Sequence, residues 1–439
     1  MASGSQSVRQ QLKIPSQSVS NRLRSVNTLG EHLVEINSSI FFDKSPHSLR
    51  VSPGQFPEVL AEGEPFTALK QELHQERIFV YQDAGIAFNW HHFTLSPRIG
   101  GYFKRKRIES DLFLMESATI NRLPDNFRND LKNDDLKVFA DPEIAFKKQK
   151  LTLKASFSLS WQQVQFHDKA ISEKDKLGFF SLNPKFVADY QFKNFWRIRG
   201  IWNFGEVMEN GHNIYYGYLL NSYRNLRKNN TPLSTKTQHK FSFYLSYRNP
   251  VTSFFNSLSA VRVFEKKSLV YDYQVQPNGT TVLQAIELPH SSTLQSINFY
   301  SSKYFSEQKS TFTVRASLLS KTGKSLLNEE LLNTTTFFLN LKPSLDYNVT
   351  PWLNAEYKLD GSRITTKIED SEKSNIAMWK HFITMFAFPA NNQEISLFTE
   401  FYRYQSSSNL FADIEYRYTI PDKQVDIEFH WNNILEVTI

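Results

Sequence analysis

No cysteine occurs among the 439 residues of the chain. Disulfides, thiolate catalysis and cysteine metal sites are thereby excluded, a composition common in proteins that cross an oxidising compartment unfolded. No apolar run reaches the roughly 18 residues a membrane helix needs, so a helical membrane protein is excluded as well. The opening MASGSQSVRQQLKIPSQSVSNRL lacks the apolar core of a signal peptide, which predicts a true start farther upstream. Nucleotide-phosphate loops, Rossmann glycines, a nucleophile elbow and HExxH are all missing, so neither an enzyme nor a cofactor is expected. Net charge is +7 and the pI about 9.1. Yet no basic helix or clustered basic stripe is present, which argues against nucleic acid and for basic lumen or loop residues, or anionic headgroups.

Aromatic residues and a period of two are what the chain does have. It carries 37 Phe, 19 Tyr and 7 Trp, with a mean hydropathy of −0.45. The pattern is clearest over Leu182–Phe204. Leu182, Pro184, Phe186, Ala188, Tyr190 and Phe192 alternate with mostly polar neighbours, Val187 being the exception. After Lys193-Asn194, Trp196, Ile198, Gly200, Trp202 and Phe204 share one face, while Arg197, Arg199 and Asn203 share the other. Such alternation around a short turn predicts an antiparallel hairpin. Arms of about 11 residues, apolar on one side and charged on the other, suit strands between lipid and water.

Seven further hairpins repeat this unit. They are expected at 78–104 around His91-His92, then at 136–161, 238–265, 294–321, 337–360, 379–404 and 409–434. Together they make roughly sixteen strands in an all-β, transmembrane, antiparallel up-and-down barrel. Turns within hairpins are short, whereas the links 105–135, 162–181, 208–237, 266–293, 322–336 and 361–378 are long and polar; only 405–408 is brief. That parity matches periplasmic turns alternating with extracellular loops and differs from a soluble sandwich. Residues 1–30 read as a linker or remnant, and 31–439 as barrel. Within the latter, 31–42 and 46–51 are expected to be two partner strands, and 55–73 loop with a short helix. Pro97, Pro142, Pro184 and Pro343 fall inside expected strands on the outward set, and predict bulges near the extracellular rim.

Several stretches resemble the barrel of a TonB-dependent outer-membrane receptor of the Bacteroidetes type. They include SSIFFDKSPHSLRVSPGQFPEVL (38–60), LSPRIGGYF (95–103), LNPKFVADYQFKNFWRIRGIWNFG (182–205), YYGYLLNSYRNLRKNN (215–230), YRNPVTSFFNSL (247–258), SKYFSEQKSTFTVRASLLSK (302–321) and IEFHWNNIL (427–435). The resemblance covers about residues 30–435. It implies uptake of a large or scarce nutrient captured by long extracellular loops, in a barrel of about 22 strands. It also implies a plug, a TonB contact and a surface lipoprotein partner. Plug and TonB box are missing from this sequence, which therefore resembles the middle and later part of such a barrel. A passive porin-like or adhesin-like barrel is the alternative; an outer-membrane hydrolase and a soluble glycan-binding β-protein are more distant rivals.

Arg197, Arg199, Arg248, Arg262 and Arg315 recur on or near polar strand faces and are expected to line the lumen. Asp426, Glu428 and His430 share the polar face of the last hairpin, where ion pairs with Glu415 and Arg417 explain them better than acid–base chemistry does. Glu428 is thus a further lumen candidate. Tyr215, Tyr216, Tyr218 and Tyr223 are candidates for loop recognition, with packing as the competing explanation. His91 and His92 point to opposite faces of a strand and cannot easily chelate one ion. The seven tryptophans lie mostly near strand ends, as aromatic girdles would.

Overall fold

A computed structural model describes residues 7–116, 119–210, 214–276, 278–369, 373–421, 423, 425–435 and 437–438. Parts of the expected N-terminal linker (1–6), of four long links (117–118, 211–213, 277, 370–372) and of the last hairpin (422, 424), together with Glu436 and Ile439, lie outside these residues. The chain is one antiparallel meander, counted as 25 strands in a single sheet because several staves are interrupted. Consecutive staves pair along their lengths, as in Leu151–Asp168 with Glu173–Phe192 and Phe254–Val275 with Thr281–Phe305. Among the described residues no ladder joins the strand Gln17–Leu29 to Val425–Trp431. None of the described helices is long and apolar enough to cross a membrane, so crossing is left to the strands.

The eight hairpins expected between 78 and 434 form, but the strands are far longer than the sequence pattern suggests. Thr281–Phe305 has 25 residues, about 80 Å at ~3.3 Å per residue. Tilted by ~40°, it still covers roughly twice a ~30 Å hydrocarbon core. The long links at 162–181, 266–293, 322–336 and 361–378 are consequently mostly strand, joined by tight turns such as Asn328-Glu329. Residues 9–13 and 17–29, expected as linker, are strands paired with His32–Ser52. That latter strand is continuous, so the expected hairpin of 31–42 with 46–51 is corrected to a single stave. A helix does form in the following loop, at Pro57–Leu60.

The reason the longer strands escape a lipid-facing pattern is a change of phase. On Leu151–Asp168 the outward set is Leu151, Leu153, Ala155, Phe157, Leu159 and Trp161, then Gln163, Gln165 and His167. The inward set runs Thr152, Lys154, Ser156, Ser158 and then turns apolar at Val164 and Phe166, both 0% exposed. Ala68–Trp90 behaves alike: Ile78 and Val80 face outward, whereas nearer the loops Lys70, Glu72 and Glu76 do, with Leu69 and Leu73 buried inside. Beyond the bilayer the outside is wet and the inside is packed.

The prolines mark ladder gaps, since proline has no N–H to donate. Ser96 pairs with Glu143 and Ile99 with Ala140, so Pro97 and Pro142 stand opposite each other at a shared break. The ladder of Glu330–Thr350 with Leu353–Ile368 skips from Leu341–Gly361 to Ser344–Lys358, passing over Pro343. Pro184 sits just beyond the ladder that starts at Lys185–Asn203. All four face outward as expected, but each lies nearer its short turn than the loop end. Their expected placement at the extracellular rim is therefore corrected.

Candidate functional site

Two features face the bore: a charged wall and a packed hairpin at the loop end. The wall begins with Arg24, whose Nε donates to Glu35 at 2.6 Å. Glu35 also accepts from Arg98 Nη2 at 2.7 Å, and Arg98 reaches Asp83 through Nη1. Asp83 accepts in addition from Asn37 at 3.0 Å and from the Tyr81 hydroxyl. These six inward side chains, contributed by four strands, form one continuous network. Farther round, Gln162 donates to Asp135 at 2.8 Å and to the Tyr102 hydroxyl at 3.1 Å. Lys342 pairs with Asp360 at 2.7 Å. Paired this way, the charges form a polar surface of fixed geometry, suited to a hydrated solute or a polar packing partner.

The expected lumen residues divide. Arg197 and Arg199 both face inward onto Asp189, with Arg197 Nε at 2.8 Å and Arg199 Nε at 3.8 Å. Arg315 lies with its guanidinium 5.5 Å from the Tyr300 ring centroid, opposite it in the ladder. Arg248 is exposed at the short-turn end of Thr235–Asn249. Glu428 accepts from Arg417 Nε at 2.8 Å, and His430 lies 3.5 Å from Glu428 and 3.8 Å from Glu415. Arg262 is a correction. It pairs with Phe241 and Gln295 on the outward face, with its guanidinium 4.4 Å from the Phe264 ring centroid.

At the loop end, the hairpin Tyr215–Ser222 with Asn225–Asn229 folds back against the inner wall. Ile214, Tyr215, Leu219 and Leu233 pack with Leu73, Ile108, Leu131, Val164 and Phe166. Leu220 and Leu226 join Leu49, Val51, Phe56, Leu69 and Leu112. Each such side chain contributes about 1.5–3 kcal/mol on burial. Asn225–Lys228 also adds a short parallel ladder to Thr281–Gln284, tying the hairpin to the far side. Gln71, 3% exposed, clamps Leu220 by accepting its N–H at 2.6 Å and donating to its carbonyl at 3.0 Å. Asn129 accepts the Gly217 N–H at 2.8 Å and donates to Ser110 at 2.8 Å.

This changes the reading of the tyrosines. Tyr215 is 6% exposed. Tyr216 packs on Phe166 at 5.6 Å, and Tyr218 stacks on Phe127 at 5.6 Å with Lys228 5.1 Å above it. These three anchor the hairpin, while Tyr223, half-buried at the edge of the same cluster as Tyr218, lies beneath the Arg224 guanidinium, 5.1 Å from its ring. Gln71, Asn129 and Gly217 carry no sequence signal beyond their place in phase-shifted alternation, and sequence reasoning missed them.

Burial pushes the hydroxyls of Tyr215, Tyr216 and Tyr218 above the ordinary tyrosine value, with nearby Glu173, Asp175 and Asp168 adding to the effect at Tyr216. Because the folded value is raised, their contribution is fully present below the unfolded tyrosine pKa near 10 and is lost as pH climbs through the folded values. A spectrophotometric titration should therefore find these tyrosines still protonated at pH 10, ionising only as the hairpin opens. Ionisation of all nineteen tyrosines in a single step near pH 10 would contradict this packing.

No protein-family model matches the chain, and no curated protein matches it in sequence. Solved structures do match in fold. The copper transporter OprC aligns with a TM-score of 0.57 at 10% identity, over 88% of this chain and 59% of that one. The siderophore receptor PiuA from Acinetobacter baumannii gives 0.53 at 10%, over 90% and 62%. The ferric-catecholate import receptor Fiu from E. coli K12 gives 0.51 at 9%, over 88% and 60%. The chain thus has the outer-membrane β-barrel fold of these receptors and spans 59%, 62% and 60% of their respective lengths.

Proposed function

We propose that this chain is barrel from an outer-membrane, TonB-dependent receptor that takes up a large or scarce nutrient. The observation that carries the reading is a receptor-type barrel whose bore is narrowed by a packed inner hairpin over a charged wall. A passive pore works best unobstructed, whereas an obstructed polar bore suits capture followed by gated passage. In this reading Arg197, Arg199, Arg315 and Glu428 line the path or contact a plug. Arg248 faces the periplasmic opening. Tyr223 and its neighbours at the loop end meet the substrate, and the buried Tyr215 with the half-buried Tyr216 and Tyr218 hold the frame. Outer-membrane lipid surrounds the barrel, TonB drives it and a surface lipoprotein assists at the mouth; the Bacteroidetes-type subclass rests on the sequence phrases alone. No bond is made or broken. The three solved structures include a copper transporter beside a ferric-catecholate and a siderophore receptor, so the fold does not choose one substrate for this chain.

The test uses the intact gene product in its own cells under nutrient limitation. The protein should fractionate with the outer membrane and migrate as a compact band that shifts on boiling. Nutrient accumulation should disappear when TonB is deleted. Accumulation that persists without TonB would replace this reading with a passive porin.

A further inference from the structure

The lipid-facing surface holds a groove that the alternation of strands does not require. The register sets Leu153, Ala188, Gly200, Phe243, Ala260 and Ile297 in one transverse row across six strands. The next row toward the loops carries Phe186, Trp202, Phe241 and Arg262. Three small residues flanked by large rings leave an apolar depression of about 830 Å³, within the roughly 300–1,000 Å³ typical of ligand pockets. Phe186 and Trp202 stack along it with centroids 5.5 Å apart. A Cβ built on Gly200 would meet nothing within 4 Å. No close backbone approach demands this glycine, and its missing side chain simply deepens the floor.

One end of the groove is charged. Arg262 points outward, forms no ion pair among the described residues, and has Gln295 directly across the ladder. A guanidinium on the lipid face costs about 2–4 kcal/mol at the midplane and close to nothing at the interface. Beyond it the outward residues Gln295, Thr293 and Ser291, with Lys266 following Phe264, show the apolar band giving way on these two strands. A cation at the headgroup level above an apolar groove matches one occupant, a phosphate-bearing acyl lipid of the surrounding membrane. Its phosphate takes the planar fork of arginine, and its acyl chain fills the depression.

We propose that this groove is a lipid-binding site, with the phosphate on Arg262 and Gln295 and a chain along Ala188, Gly200 and Ala260. The experiment titrates the full chain, folded in detergent micelles, with dimyristoyl phosphatidylglycerol and counts retained lipid by native mass spectrometry. Wild type should retain one lipid above background. Arg262→Gln should weaken retention about fivefold, as expected for one cation near a membrane surface. Gly200→Phe should abolish it, with the boiling-dependent gel shift unchanged. If Gly200→Phe lowers the folded yield, Ala260→Leu fills the same groove. Dimyristoylglycerol, which lacks the phosphate, should bind wild type no better than it binds Arg262→Gln. Wild-type retention in both Arg262→Gln and the groove-filling variant would overturn the proposal, as would equal affinity for the phosphate-free lipid.

Discussion

Replacing Gly217 by alanine is expected to release the inner hairpin while leaving the barrel wall folded. The added Cβ would lie 2.3 Å from the carbonyl oxygen, 2.6 Å from the carbonyl carbon and 2.7 Å from the amide nitrogen of Arg128. All three are backbone atoms, so no side chain can swing aside. Separation would also stretch the 2.8 Å bond from the Gly217 N–H to Asn129, which is 1% exposed. Overpacking costs about 1–3 kcal/mol and an unmade buried hydrogen bond about as much again. The hairpin should therefore open on the order of 10²-fold more often. Hydrogen exchange over 214–229 and proteolysis in this segment read that opening directly. Gln71→Ala should act in the same direction, because it orphans both the N–H and the carbonyl of Leu220. Unchanged protection in both variants would mean that the hairpin is held by its apolar contacts alone.

That hairpin also shows where sequence reasoning stopped. Lipid imposes one rule, apolar outside and polar inside, and most segments under it were legible, Gln17–Leu29 being the exception. Leu151 to Trp161 and Trp196 to Phe204 have the faces their alternation requires, and Val187, apolar among polar neighbours, is indeed inward and 7% exposed. Past the bilayer no single solvent dictates the faces. Gln163, Gln165 and His167 meet water outside, while Val164 and Phe166 meet the hairpin inside. Read against the lipid phase, such a stretch resembles a polar loop. The site suffered similarly: a tyrosine-rich segment looks equally like a recognition surface and a set of anchors. The contacts that decide between these, Tyr216 on Phe166 and Tyr218 on Phe127, join residues far apart in the chain. An arginine in an alternating strand is expected inward, and only the ladder to Phe241 reveals that Arg262 faces lipid.

The phase change itself yields the sharpest stability contrast, tested by arginine substitutions along one strand. Leu159 is outward and 37% exposed to what would be lipid. Leu159→Arg should destabilise by about 2–4 kcal/mol if it lies near the bilayer centre, and less toward the interface. Gln163→Arg, outward but beyond the last apolar outward residue Trp161, should be close to neutral. Val164→Arg, one residue farther and 0% exposed, should be the most damaging. It places an unpaired cation in the core shared by Phe166, Ile108 and Leu219, at about 3–5 kcal/mol. Ser156→Arg faces the bore and should cost little. Guanidinium unfolding in lipid vesicles, followed by tryptophan emission, measures all four. A pure period-two lipid pattern over the whole strand predicts another order, with Gln163→Arg damaging and Val164→Arg tolerated. Because the two orders are opposite at adjacent residues, the comparison of Gln163→Arg with Val164→Arg decides where the membrane ends on this strand. It does so without depending on the absolute stability of the barrel.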